Sequence, residues 1–173
     1  MTELKKRIYQ EQCIGNVEPI EYMVPYPNLR ALIEGQNIKY GKKMVYADHG
    51  ISSDKIYRMA QQAANLFVSL GLKPGERIMI QALPFPESEI AILGAWTLGS
   101  SLVFTGDGDF NGAIKHAKPN LIITKEMKFL DEIQKFSDEF SPNVKAFLED
   151  EAVVFWLEGK GCLLYTSPSP RDP

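Results

Sequence analysis

The stretch LGLKPGERIMIQALPFPESEIAILGAWTLGSSLVF, residues 70–104, decides the fold class. Gly71 stands where a helix would end in a left-handed cap, and Leu72 to Arg77 makes a tight turn. Ile78 to Leu83 is a strand. Pro84 and Pro86 end it and open a helix, whose first turn places Glu87 and Glu89 at the positive end of the helix dipole. Residues 90–98 are apolar nearly all round, so this helix is buried on most sides. Gly99 stops it, and Ser101 to Thr105 is the next strand. Strand, buried helix and strand in this order form a βαβ unit of a parallel sheet.

The same rhythm extends in both directions. Upstream, Ile56, Met59, Ala60, Ala63, Ala64, Phe67 and Leu70 recur at helical spacing behind Ser52 or Ser53 as cap. Met44 to Ala47 is a short strand closed by an Asp48-His49-Gly50 turn, and Asn28 caps a helix over Leu29, Leu32 and Ile33. Residues 1–26 form an irregular arm punctuated by Pro19 and Pro25. Downstream, Phe110 to Ala117 is a short helix ended by Pro119, and Leu121 to Thr124 is a strand. Met127, Leu130, Ile133 and Phe136 stripe a helix reaching Phe140, and strands follow at Val144 to Leu148 and Ala152 to Leu157. The fold class is α/β: alternating strands and helices around a parallel sheet covered on both faces.

Leu163 to Pro173 departs from this pattern, with Pro168, Pro170 and Pro173 and no apolar period. It is expected to be disordered. It is similar to adapter-derived sequence at the ends of metagenomic gene fragments, which implies a non-native tail on the first part of a longer gene product.

Composition narrows the function classes. The chain has 173 residues, 45 % hydrophobic and 24 % charged, which suits one soluble globular domain. Nineteen basic residues against 22 acidic ones give a net charge of −3, which argues against a nucleic-acid partner. Cys13 and Cys162 lie far apart without metal-ligand or CxxC spacing, as expected for a reducing compartment. No apolar run reaches the ~20 residues that span a membrane, and no signal peptide opens the chain, so a cytoplasmic location is expected.

Chemistry-bearing residues are sparse. His49 sits in a turn and His116 on a short helix, each without a sequence-adjacent catalytic partner. Asp107 and Asp109 flank Gly108 just after a strand, where a parallel sheet can hold a ligand; a solvated turn is the simpler account. Trp96 reads as core. The strand Ala152 to Leu157 runs directly into Glu158-Gly159-Lys160-Gly161. Glycines after a strand let backbone N–H groups approach an anion, and a lysine among them supplies a point charge for phosphate. The motif is neither GxxxxGK[ST] nor GxGxxG, and a plain turn uses the same residues.

Three stretches together resemble the opening of the adenylate-forming enzymes, the acyl- and aryl-CoA synthetases and their AMP-ligase relatives. They are residues 41–67, from Gly41-Lys-Lys-Met-Val-Tyr-Ala-Asp to Ala64-Asn-Leu-Phe; residues 70–80; and residues 83–104. The resemblance covers roughly residues 19–161 and implies that 27–162 is the first part of a large N-terminal adenylation domain. It implies that Gly159, Lys160 and Gly161 stand at the family's phosphate loop, with Glu158 in place of its hydroxyl-rich segment. It implies ATP, Mg²⁺ and coenzyme A for the complete protein, with a small carboxylic acid as substrate. The family's ribose-binding aspartate, metal-binding glutamate and C-terminal lysine fall beyond residue 162, so the chain alone is expected to be inactive. Two other readings stand beside this one: a non-catalytic remnant holding a nucleotide or acyl group, and an unrelated small flavodoxin-like α/β domain.

Overall fold

Residues 77–105 lie at the centre of a parallel sheet in the computed structural model, which describes residues 26, 28–105, 110–142, 150–157 and 161–166, with the backbone alone at 157 and 161–166. Helix α1 (Leu29–Tyr40) opens on Asn28, whose side chain accepts from the Ala31 N–H at 2.8 Å, as its cap position requires. Strands β1 (Met44–Tyr46) and β2 (Ile51–Ser52) make a small antiparallel hairpin around a 3₁₀ turn at Ala47–His49. Helix α2 (Ser53–Ser69) follows. It ends on Gly71 at φ +91°, with Gly71 N–H donating to Val68 O and Leu72 N–H to Phe67 O.

Next come β3 (Arg77–Gln81), α3 (Glu87–Leu98), β4 (Ser101–Thr105), α4 (Phe110–Ala117), β5 (Leu121–Thr124) and α5 (Phe129–Ile133). Strands β6 (Glu151–Leu157) and β7 (Gly161–Thr166) complete the described chain. The order across the sheet is β5-β3-β4-β6-β7. The first four strands run parallel, and β7 returns antiparallel to β6.

Successive strand residues feed two cores. Ile78, Leu102 and Ile123 face α2, α3 and α5, where they meet Phe67, Ile90, Leu98 and Phe129. Met79, Val103 and Val154 face α4, where they meet Ala113 and Ala117. This double burial is why the strands read as continuous apolar runs rather than alternating ones. Helix α3 crosses α2 closely at Gly94: a Cβ there would come within 2.5 Å of the Ala63 Cβ and 3.2 Å of the Ala60 carbonyl oxygen.

Two arginines close the polar accounts of the frame. Arg30 of α1 donates from Nε to Thr97 O at 2.7 Å and from Nη2 to Leu98 O at 3.0 Å, capping the last turn of α3. Arg77 at the start of β3 grips Glu151 at the start of β6 through two bonds, Nε to Oε1 at 2.8 Å and Nη2 to Oε2 at 2.7 Å. Its Nη1 also donates to Ala117 O at 2.9 Å, and Ser101 Oγ donates to Glu151 O at 2.7 Å. This clip joins β3, β4, β6 and the end of α4.

Three expectations need correction or limit. The helix expected to reach Phe140 is only α5, Phe129–Ile133. The apolar steps of the stripe are all three, with no four among them, and the run suits a single turn rather than a 3.6-residue repeat. Leu163 to Thr166, expected in a disordered tail, pair with β6 from Glu151↔Thr166 to Phe155↔Leu163. Leu, Tyr and Thr suit a pleated strand, and the prolines that dominated the sequence reading begin only at Pro168. The strand expected at 144–148 and the arm at 1–25 lie outside the described residues.

Candidate functional site

Because β3, β4, β5 and β6 are parallel, their carboxyl ends share one edge of the sheet. Open parallel sheets bind ligands in the crevice beyond that edge. The chain leaves it in connections starting at Ala82, residue 106, Lys125 and residue 158. Ala82 takes φ +56°, in the left-handed region that costs an ordinary residue of order 1 kcal/mol or more. Leu83 and Pro84 follow directly after it, past the end of β3. The following Phe85 is clasped by the hairpin: Tyr46 meets its ring edge-on at 4.8 Å and 81°, and His49 at 4.9 Å and 69°. Burial, and then the Glu89 carboxylate that accepts its hydrogen bond, push the Tyr46 hydroxyl above its ordinary pKa.

Between this turn and the segment after β5 lies a cavity of about 340 Å³. Leu83, Pro84, Met127 and Leu130 make its apolar wall; Lys125 and Lys128 bring positive charge, and Glu87 and Asp131 negative charge. Such a lining can hold a ligand with an apolar body and a polar end. Sequence reasoning passed over Lys125 and Lys128. Their position just past the end of a parallel strand was the available signal.

The candidate phosphate loop follows β6 in sequence. Residues 158–160 connect β6 to β7, with Leu157 and Gly161 paired across the base. Gly161 is the first residue of β7, while Glu158, Gly159 and Lys160 lie outside the described residues, as do Asp107 and Asp109. At the base of this hairpin the Trp156 ring, 8 % exposed, stacks on His116 of α4 at 4.4 Å and 6°. His116 is thus a packing partner of β6. Trp96 is half-buried and its Nε1 donates to Ala152 O at 3.2 Å, tying α3 to β6. The lysines of the cavity follow β5, which stands three places from β6 across the sheet.

Among the described residues, no three His, Cys, Asp or Glu side chains gather as a metal site. No helix among them is long and apolar enough to cross a membrane.

A parallel sheet with helices on both faces defines an open α/β fold, a class that binds ligands at the carboxyl edge of the sheet. Comparison with known proteins narrows this. The acetyl-coenzyme A synthetase of Leptospira biflexa serovar Patoc is 33 % identical over 107 residues, which are 59 % of this chain and 15 % of that protein. The chain therefore spans about 15 % of the curated relatives it matches. Among solved structures, the N-terminal subdomain of Klebsiella oxytoca NpsA bound to 3-hydroxyanthranilyl-AMSN superposes with a TM-score of 0.70 at 14 % identity, over 81 % of this chain and 40 % of that one. The anthranilate CoA ligase AuaEII, in complex with anthranoyl-AMP, gives 0.63 at 17 % identity over 83 % and 34 %. No protein-family model matches the sequence. The chain thus shares the fold of part of these adenylation and CoA-ligase structures, and over 107 residues its sequence is similar to an acetyl-coenzyme A synthetase.

Proposed function

We propose that this chain is the first part of the adenylation domain of an ATP-dependent carboxylate-activating ligase, with residues 27–162 as its share of that domain. The observation that carries the reading is the 33 % identity over 107 residues to an acetyl-coenzyme A synthetase; in sequence, Gly159 and Lys160 follow directly on β6. In the first half-reaction a carboxylate oxygen of the substrate attacks the α-phosphorus of ATP. The α–β phosphoanhydride bond breaks, leaving an acyl-adenylate and pyrophosphate. In the second, the thiol of coenzyme A loses its proton and attacks the acyl carbonyl, and AMP leaves. Gly159 and Gly161 would let the backbone approach the polyphosphate, and Lys160 would supply a point charge to it.

ATP–pyrophosphate exchange by the protein as its gene encodes it, across a series of small and aromatic carboxylic acids, tests the reading. Exchange with at least one acid, falling about 100-fold or more in Lys160→Ala, is expected. Absence of exchange with every acid overturns it. The isolated 173-residue chain is expected to show no exchange in the same assay.

Glu158 favours a second reading, a nucleotide- or acyl-binding protein without turnover. A carboxylate beside a polyphosphate repels it, and the repulsion grows as water is excluded. Binding of ATP without exchange, tightened in Glu158→Thr, would select this reading over the first.

A further inference from the structure

Beyond α5 the chain runs to residue 142 as an irregular strap across α2. Its backbone carbonyls are held by side chains of that one helix. Gln62 Nε2 donates to Phe136 O at 3.1 Å, and Asn65 Nδ2 donates to Ser137 O and to Glu139 O, each at 2.9 Å. Residues three apart on a helix face the same way, so the two amides act as a pair. No backbone-to-backbone hydrogen bond ties residues 137–142 to any described element. The apolar anchorage also changes along the segment. Phe129 and Ile133 are fully buried, at 2 % and 0 % exposure, and Phe129 stacks on Phe67 at 6.2 Å. Phe136 and Phe140 only pack partly buried against the same core. Firm attachment thus stops at Ile133, and past it the amides and two half-covered rings hold the chain.

We propose that residues 134–142 form a strap that leaves and rejoins α2 as a unit while the sheet stays folded, with Gln62 and Asn65 as its latch. Segments with few buried apolar contacts and few backbone hydrogen bonds open locally at free energies well below that of global unfolding. This strap lies on the connection from β5 to β6, the strands whose carboxyl ends carry the cavity wall and the 158–160 loop. Release from α2 lengthens the free tether between the carboxyl end of β5 and the amino end of β6. The inference stands on hydrogen bonding and burial and is independent of the adenylate reading.

Limited chymotrypsin digestion of the 173-residue chain, with products identified by mass, tests it. Cleavage after Phe136 and Phe140 reports the strap, and cleavage after Phe104 of β4 reports the sheet. Asn65→Ala removes two of the latch bonds and is expected to speed strap cleavage about tenfold or more. Ile78→Val loosens the sheet core mildly enough to stay folded. It is expected to speed cleavage after Phe104 and to leave the strap rate unchanged, because strap opening does not break the sheet. The proposal is overturned if Asn65→Ala leaves the strap rate as it was. It is equally overturned if Ile78→Val, or the unaltered chain, shows strap and sheet cleaved in step.

Discussion

Gly94 lies where α3 crosses α2, and the 2.5 Å approach to the Ala63 Cβ leaves no room for a methyl group. Neither partner atom is the far end of a flexible side chain, so relief needs movement of a whole helix. Gly94→Ala should therefore lower stability by about 1–3 kcal/mol in urea unfolding. Adding Ala63→Gly should return part of that loss, since it removes the nearest atom; no recovery would place the strain elsewhere. The sequence marked Ala60, Ala63 and Ala64 as one apolar stripe and residues 90–98 as buried all round, and both readings hold. That the two stripes meet at Gly94 needed coordinates, because spacing along one helix says nothing about which residue of another helix it touches.

At the scale of elements, the clip at the amino edge of the sheet carries the pH dependence. The Arg77 guanidinium, through its two bonds, holds the Glu151 carboxyl below its ordinary pKa, against the opposing effect of burial. A carboxyl depressed on folding stabilises the fold above its unfolded pKa, about 4.3. That contribution is lost as pH falls below this value and through the lower, folded pKa. The pair is about a quarter to a third exposed, so its worth is modest. Glu151→Gln should cost about 1 kcal/mol at neutral pH. The difference should vanish as acid protonates Glu151 in the parent chain. A gap that persists undiminished into acid would mean that shape, not charge, is what Gln fails to supply.

The elements also show where local sequence stops being informative. Asn28, Gly71 and Gly99 announced helix ends correctly, because caps are decided within a few residues. Strand β7 was missed because its identity depends on β6 being there to pair with, while the prolines close behind it argued for disorder. Helix α5 was overdrawn for the opposite reason: a period of three was taken as one of 3.6. The candidate site was legible only as a place, the end of a strand followed by glycine and lysine. The cavity at the other strands was not, since its walls come from segments some 40 residues apart in the chain.

For the molecule as a whole, the central question is whether the two cores melt together. They share one sheet, and every residue of β3 and β4 that fills one core is covalently next to a residue filling the other. Trp96 packs against the first and Trp156 belongs to the second. Trp96→Phe and Trp156→Phe each leave a single indole reporter. In urea the two fluorescence transitions should share a midpoint, once each is corrected by a common probe such as far-ultraviolet circular dichroism. Separate midpoints would mean that α4 with β6 forms a unit of its own.

The Arg77–Glu151 clip has a further consequence during synthesis. Helix α2, strand β3, helix α3 and strand β4 lie in sequence between residues 53 and 105, so their mutual contacts can form early on a growing chain. Arg77 then waits for a counter-charge that the ribosome has not yet made, 74 residues further on. Until that carboxylate emerges, the β4 edge that will receive β6 stands open, and the nascent protein is most prone to wrong pairing in this interval.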